Sequence, residues 1–240
     1  MIGSETGNLF IVSPSGQATA AISNPICDDI SSVDLNNSRY GIIAGTLASE
    51  GNPIFTGVMD PNGVVTRVNG FSFVYGETYS AAINNSGLGL VGGEIADPGF
   101  DRGFANFISL DAVASSISGN FPINGVIRSV AINESGKGLI GGMDSNPSPY
   151  VAFVELNKDA QVISPILLPV SATIESVAIN DAGKGLIGGK DLTNTLAYAA
   201  FISADGSTVT SIPNLPVNGS IYSVAINQQG LGLIGGGYRC

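Results

Sequence analysis

Apolar residues along this chain recur in short runs with a period of two. In the run from Tyr222 to Asn227, Val224 and Ile226 point one way and Ser223, Ala225 and Asn227 the other, the alternation of a half-buried strand. Asp-Gly, Asn-Gly or Asn-x-x-Gly punctuates the runs, and each is a tight-turn signal. No window carries apolar residues at helical spacing behind a capping residue, so the pattern predicts an all-β chain.

The pattern repeats. YSAAINNSGLGLVGG spans Tyr79 to Gly93, and it returns as RSVAINESGKGLIGG from Arg128, ESVAINDAGKGLIGG from Glu175 and YSVAINQQGLGLIGG from Tyr222. A degenerate first copy, SSVDLNNSRYGIIAG, spans Ser31 to Gly45, with Arg39 in place of the turn glycine and Ala44 in place of the first paired glycine. The turn asparagines Asn36, Asn84, Asn133, Asn180 and Asn227 are spaced by 48, 49, 47 and 47 residues. A weaker segment, clearest from Ala200 to Val209, keeps the same period through Ile11, Val58, Phe107, Phe153 and Phe201.

Each unit holds four strand signals: the AFIS-type run (A), a run after the Asp-Gly turn (B), the SVAIN run (C) and the GLIGG run (D). Four short strands per unit of about 48 residues predict a five-bladed β-propeller of four-stranded antiparallel blades, a single domain over residues 1–240. The units cover approximately 8–45, 54–93, 104–142, 150–189 and 198–236. Glycine recurs inside strand D at Gly41, Gly89, Gly138, Gly185 and Gly232, which suggests close backbone approach and places strand D innermost. The N-terminal strands would then pair with the last inner strand to close the ring and remove exposed edges. Cys27 and Cys240 would lie on one face of that composite blade, so a bridge is topologically allowed; two unrelated thiols are the other reading.

The AFIS-x-DG…YSVAIN-x-x-G-x-GLIGG pattern resembles the bacterial HAF-type extracellular propeller repeats, best over residues 198–236. Its doubled glycines are similar to passenger repeats of autotransporter-type surface proteins. The resemblance covers nearly the whole chain but concerns scaffold residues. It implies a propeller fold and surface exposure, and it carries no catalytic residues.

Glycine makes up 33 of the 240 residues, and much of that surplus lies at the repeated turn and strand D. Nine basic and nineteen acidic residues leave a net charge of −10, which argues against a nucleic-acid phosphate backbone as partner. The chain has no histidine, which excludes a Ser-His-Asp triad, a Cys-His pair and imidazole-ligated zinc. No run of about 20 apolar residues predicts membrane insertion. The first residues lack a secretory leader, so a cell-surface location is expected only as part of a longer protein. No EF-hand spacing appears, and neither metal nor cofactor is expected.

The recurring Asn-x-Ser at Asn36, Asn84 and Asn133 reads as turn chemistry, and the strand-C serines as hydrogen bonding between strands. Variation concentrates in the D–A and B–C loops, which share one face. The candidate ligand residues on that face are Asp28, Glu77, Glu94, Asp97, Asp101, Asp144 and Asp191. The function expected is a non-enzymatic, monomeric scaffold for display, adhesion or binding of a protein or glycan. A lectin is an alternative, with Tyr150 and Tyr198 as recurring aromatic anchors. A hydrolase with a single site in the loop face is a second.

Overall fold

A computed structural model describes residues 9–20, 29–47, 54–71, 75–97, 100–146, 148–163, 167–169 and 171–238. The described residues contain strands and no α-helix. The first hairpin is β1 (Phe10–Val12) and β2 (Ala18–Ala20). Four units follow: β3 (Asp29–Leu35), β4 (Gly41–Thr46), β5 (Ile54–Met59) and β6 (Val65–Arg67); β7 (Gly76–Ile83), β8 (Gly89–Asp97), β9 (Phe100–Ile108) and β10 (Ala114–Ser116); β11 (Val126–Ile132), β12 (Gly138–Met143), β13 (Pro149–Val154) and β14 (Gln161–Val162); β15 (Ala172–Ile179), β16 (Gly185–Asp191), β17 (Leu196–Ile202) and β18 (Val209–Ser211). The last hairpin is β19 (Gly219–Ile226) and β20 (Gly232–Tyr238).

Each of the four units is a four-stranded antiparallel sheet in the order C-D-A-B, as in β11-β12-β13-β14. This corrects the expected position of strand D, which lies second, between C and A. Strand C is innermost. Successive C strands contact one another, and the strand-C serine of each unit accepts a backbone N–H from the next. These bonds are Ala81 N–H to Ser32 Oγ, Val130 to Ser80, Val177 to Ser129 and Val224 to Ser176, at 3.0–3.1 Å.

The glycines of strand D have a different cause from the crowded axis that strand order alone suggested. A Cβ on Gly141 would stand 2.6 Å from Val177 and 2.7 Å from Ile174 of the next sheet. On Gly138 it would stand 2.6 Å from Leu90 of the preceding one. Strand D is therefore the seam between sheets. The second paired glycine answers a β-bulge in strand C: opposite Gly142 the register skips Arg128, and the Val126 carbonyl lies 1.8 Å from where a Cβ would stand. In the first unit Ala44 fits because the residues matching Ile127 and Val130 there are the smaller Thr78 and Ala81; Ala44 and Ala81 share one core cluster.

The turn asparagines carry two jobs. Asn133 Oδ1 accepts the Lys137 N–H at 3.0 Å, capping its own turn, and Asn133 Nδ2 donates to the Asn180 carbonyl at 3.1 Å. Asn36, Asn84 and Asn180 donate in the same way to Asn84, Asn133 and Asn227. Arg39 holds φ at 68°, the left-handed conformation that Gly87, Gly136, Gly183 and Gly230 hold in the other turns.

The expected pairing of the N-terminal strands with the last inner strand is not seen. Among the described residues β1 pairs only with β2, and β20 only with β19. Cys27 and Cys240 lie outside the described residues.

Candidate functional site

The up-and-down order puts the Asn-x-x-Gly and A–B turns on one face and the D–A and B–C connections on the other. The turn face is repetitive and locked: besides the asparagine ladder, Glu134 N–H donates to Asp181 Oδ1 and Asp181 N–H to Gln228 Oε1. The loop face is where the sequence departs from repetition.

The strand-C bulge lies toward the loop face. It skips one residue in every unit: Ser31, Tyr79, Arg128, Glu175 and Tyr222. These five side chains are of four kinds, with tyrosine occurring twice, while the serine after each is constant. They sit on the innermost strands, and neighbours reach each other across units, with Arg128 Nε 3.7 Å from Glu175 Oε2. The sequence reading passed over this row. Its signal is a single variable position before an otherwise repeated SVAIN segment.

Two of the sequence-predicted acids meet this row. Glu77 and Glu94 face each other across β7 and β8, and the Tyr79 hydroxyl donates to Glu94 Oε1 at 2.9 Å. Burial, then hydrogen bonding to Glu77 and Glu94, pushes the Tyr79 phenol well above its usual range. Its proton is therefore held as a donor between two carboxylates.

The other predicted acids are dispersed. Asp144 Oδ1 accepts the Asn146 and Ser148 N–H groups at 3.0 Å, and Asp191 Oδ1 accepts from Thr193 and Asn194. Both carboxylates are caps of their own D–A turns. Asp101 is exposed on β9, and its carbonyl takes the Asn124 N–H. Asp97 pairs with Phe100 at the β8–β9 hairpin, and Asp28 lies outside the described residues. Among the described residues no three carboxylate or thiol groups converge. Tyr150 and Tyr198, the recurring aromatics, are largely buried opposite Gly142 and Gly189, and Tyr198 also lines one of the grooves beside the loops.

Two grooves open beside the loops at matching places in two units. One, about 580 Å³, lies between β9–β10 and the 117–123 connection, with Phe104, Ile117 and Ile123 in its wall and Arg102 at its rim. The other, about 670 Å³, lies between β17–β18 and the 211–217 connection, with Leu196, Leu215 and Val217 in its wall and Asp191 at its rim. Single bridges, Arg102 to Ile123 and Leu196 to Val217, fix the two walls.

No protein-family model and no curated protein matches the sequence. Solved structures do. The fold is similar to the RRP9 WD40 repeats, at a TM-score of 0.62 and 14% identity over 95% of this chain and 66% of that one. WD40 repeats form propeller blades. The fold is a β-propeller. It is also similar to virginiamycin B lyase from Staphylococcus aureus, at 0.64 and 12% over 92% of this chain and 68% of that one. A third likeness is Chaetomium thermophilum Sqt1, solved bound to the N-terminus of ribosomal protein L10, at 0.57 and 12% over 91% and 58%. The propeller described here thus spans 58–68% of the length of these chains.

Proposed function

We propose that the five repeats form one non-enzymatic scaffold that binds a protein segment on its loop face. One observation carries the reading: the units repeat their inner ladder while the bulged residue of strand C (Ser, Tyr, Arg, Glu, Tyr along the chain) and the loops beside it vary. A scaffold that conserves its seams and varies one face presents a surface. The grooves beside Arg102 and Asp191 supply apolar walls for such a segment. Sqt1, of similar fold, is a structure bound to a protein N-terminus, which supports a peptide-like partner. The likeness of the repeat to HAF-type and autotransporter passenger repeats supports display on a bacterial surface as part of a longer protein.

The test is a peptide array and a glycan array probed with wild-type protein and two variants. Arg128→Ala with Glu175→Ala removes the bulge pair; Gln228→Ala changes the turn face. Peptide binding weakened at least tenfold by the first variant and unchanged by the second supports the reading. Binding confined to glycans, or lost through Gln228→Ala alone, overturns it.

A further inference from the structure

The seams between units are built alike four times, and the two ends of the chain present the two halves of the same seam uncovered. On strand C, Ala81, Val130, Val177 and Val224 are 6–9% exposed, whereas Val33 in the same place of the first unit is 54% exposed. On strand D, Leu90, Leu139 and Leu186 are fully buried, whereas Leu233 in the same place of the last is 75% exposed. A Cβ on Gly92, Gly141 or Gly188 would stand 2.5–2.6 Å from the next unit; on Gly235 the nearest atom is 4.0 Å away, in its own sheet.

The hydrogen-bond ladder ends in the same complementary way. Among the described residues the last unit holds Ser223 Oγ and Asn227 Nδ2 without a following strand. The first unit holds the Val33 N–H and the Asn36 carbonyl, and these are the groups that meet that serine and asparagine at every internal seam.

The outer strands complete the match. Ile11 of β1 reaches Gly63 in the first unit's A–B turn, as Phe153 and Ile163 of the third unit reach Gly206 in the fourth unit's A–B turn. The hairpin β1–β2 is thus seated as the third and fourth strands of a sheet preceding the first unit. Between β1 and β3–β4 lies a slot of about 390 Å³, lined by Leu9, Ile11, Val33, Leu35, Ile42 and Met59. At internal seams strand D of the preceding sheet fills that place. Among the described residues the hairpin β19–β20 is a C–D pair with no A or B strand beside it.

We propose that this slot receives β19–β20 of a second copy of the chain, with β20 of one copy pairing to β1 of the other. The continuity of the four internal seams names the occupant's chemistry: a Leu-x-Gly-Gly strand with a serine and an asparagine on its neighbour. A second copy supplies it because, among the described residues of one chain, the slot residue Val33 and the tail residue Leu233 are both exposed at once. The contact is head-to-tail, so it continues until a ring closes or a fibre forms.

The test uses light scattering on the full chain and on variants that block one end each. Val33→Arg closes the slot; Leu233→Arg, or Gly235→Val as a second choice, blocks the tail. All three positions face solvent within one chain, and circular dichroism checks that the variants fold. Wild-type protein is expected to exceed the monomer mass in a concentration-dependent way, and each variant alone to be monomeric. An equimolar mixture of Val33→Arg and Leu233→Arg is expected to form a species of twice the monomer mass, since each still carries one intact half. A monomeric wild type, a monomeric mixture, or assembly that survives in either variant alone overturns the proposal. A monomeric wild type whose β20 amides are protected from exchange identifies the chain's own tail as the occupant.

Discussion

At the scale of single residues, the fold depends on side chains that must do two things at once. Asn133 accepts at Oδ1 and donates at Nδ2, and it is buried. An aspartate in its place would keep the cap and lose the donor, leaving the Asn180 carbonyl short of a partner beside a carboxylate. Asn133→Asp is therefore expected to cost about 2 kcal/mol in urea unfolding, while Asn227→Asp, whose Nδ2 has no described partner, stays within about 0.5 kcal/mol of wild type. A second test is electrostatic. The Asp205 carboxylate accepts from the Ser203 hydroxyl at 2.6 Å and from the Ser207 hydroxyl and N–H, and these bonds, Ser203 first, lower its pKa from 3.8 to about 2. A depressed carboxylate stabilises the folded chain above its unfolded pKa, and that contribution is lost as pH falls from about 4 toward 2. The melting-temperature gap between wild type and Asp205→Asn is expected to narrow across that window. The dual role of asparagine was legible in part: Asn-x-x-Gly announced a turn, but the donor side faces a carbonyl some 47 positions away, which no local pattern reveals.

At the scale of elements, the strand D glycines show how one residue type serves two constraints. Gly141 leaves room for the next sheet, and Gly142 leaves room for a carbonyl of its own sheet's bulge. Alanine at 142 would drive Cβ into the Val126 carbonyl, and the backbone of both strands would have to move. Gly142→Ala is expected to destabilise by about 3 kcal/mol or more. In dilute solution Gly235→Ala, which meets open space, is expected to be neutral within about 0.5 kcal/mol. Chemical unfolding of the two variants side by side checks both. The strands themselves were readable from alternation and turns, and the glycine register correctly signalled close approach. The order of strands was not, because the partner that crowds Gly141 is Ile174 and Val177 of another unit. The bulge was likewise hidden: it changes which residue faces which without changing the alternation by more than one step. Arg128 and its counterparts therefore looked like noise before the SVAIN motif, although they are the positions that the inner strands leave free to vary.

At the scale of the whole molecule, the chain behaves as a row of like sheets, each held mainly by its neighbours. The period announced that row, and the composition removed histidine chemistry from it. What the sequence could not convey is that, among the described residues, β20 does not pair with β1, since such pairing depends on how the sheets turn relative to one another and not on the contents of any unit. Unpaired end strands predict a gradient of local stability. The hydrophobic residues of β12 and β16 are enclosed on both sides, with Leu139, Ile140, Leu186 and Ile187 fully buried, whereas β1, β2 and β20 have one flank bare. Amides at the ends open through local unfolding, and those in the middle only when neighbouring seams are broken as well. Native-state hydrogen exchange on dilute monomer is expected to show β12 and β16 slowest, β1–β2 and β19–β20 faster by at least a hundredfold. Uniform protection along the chain would mean that the units unfold as one closed ring. If two copies meet end to end, raising the concentration slows exchange in β1, β3 and β20 together and leaves β12 unchanged, because mass action stabilises only the flanks that association covers.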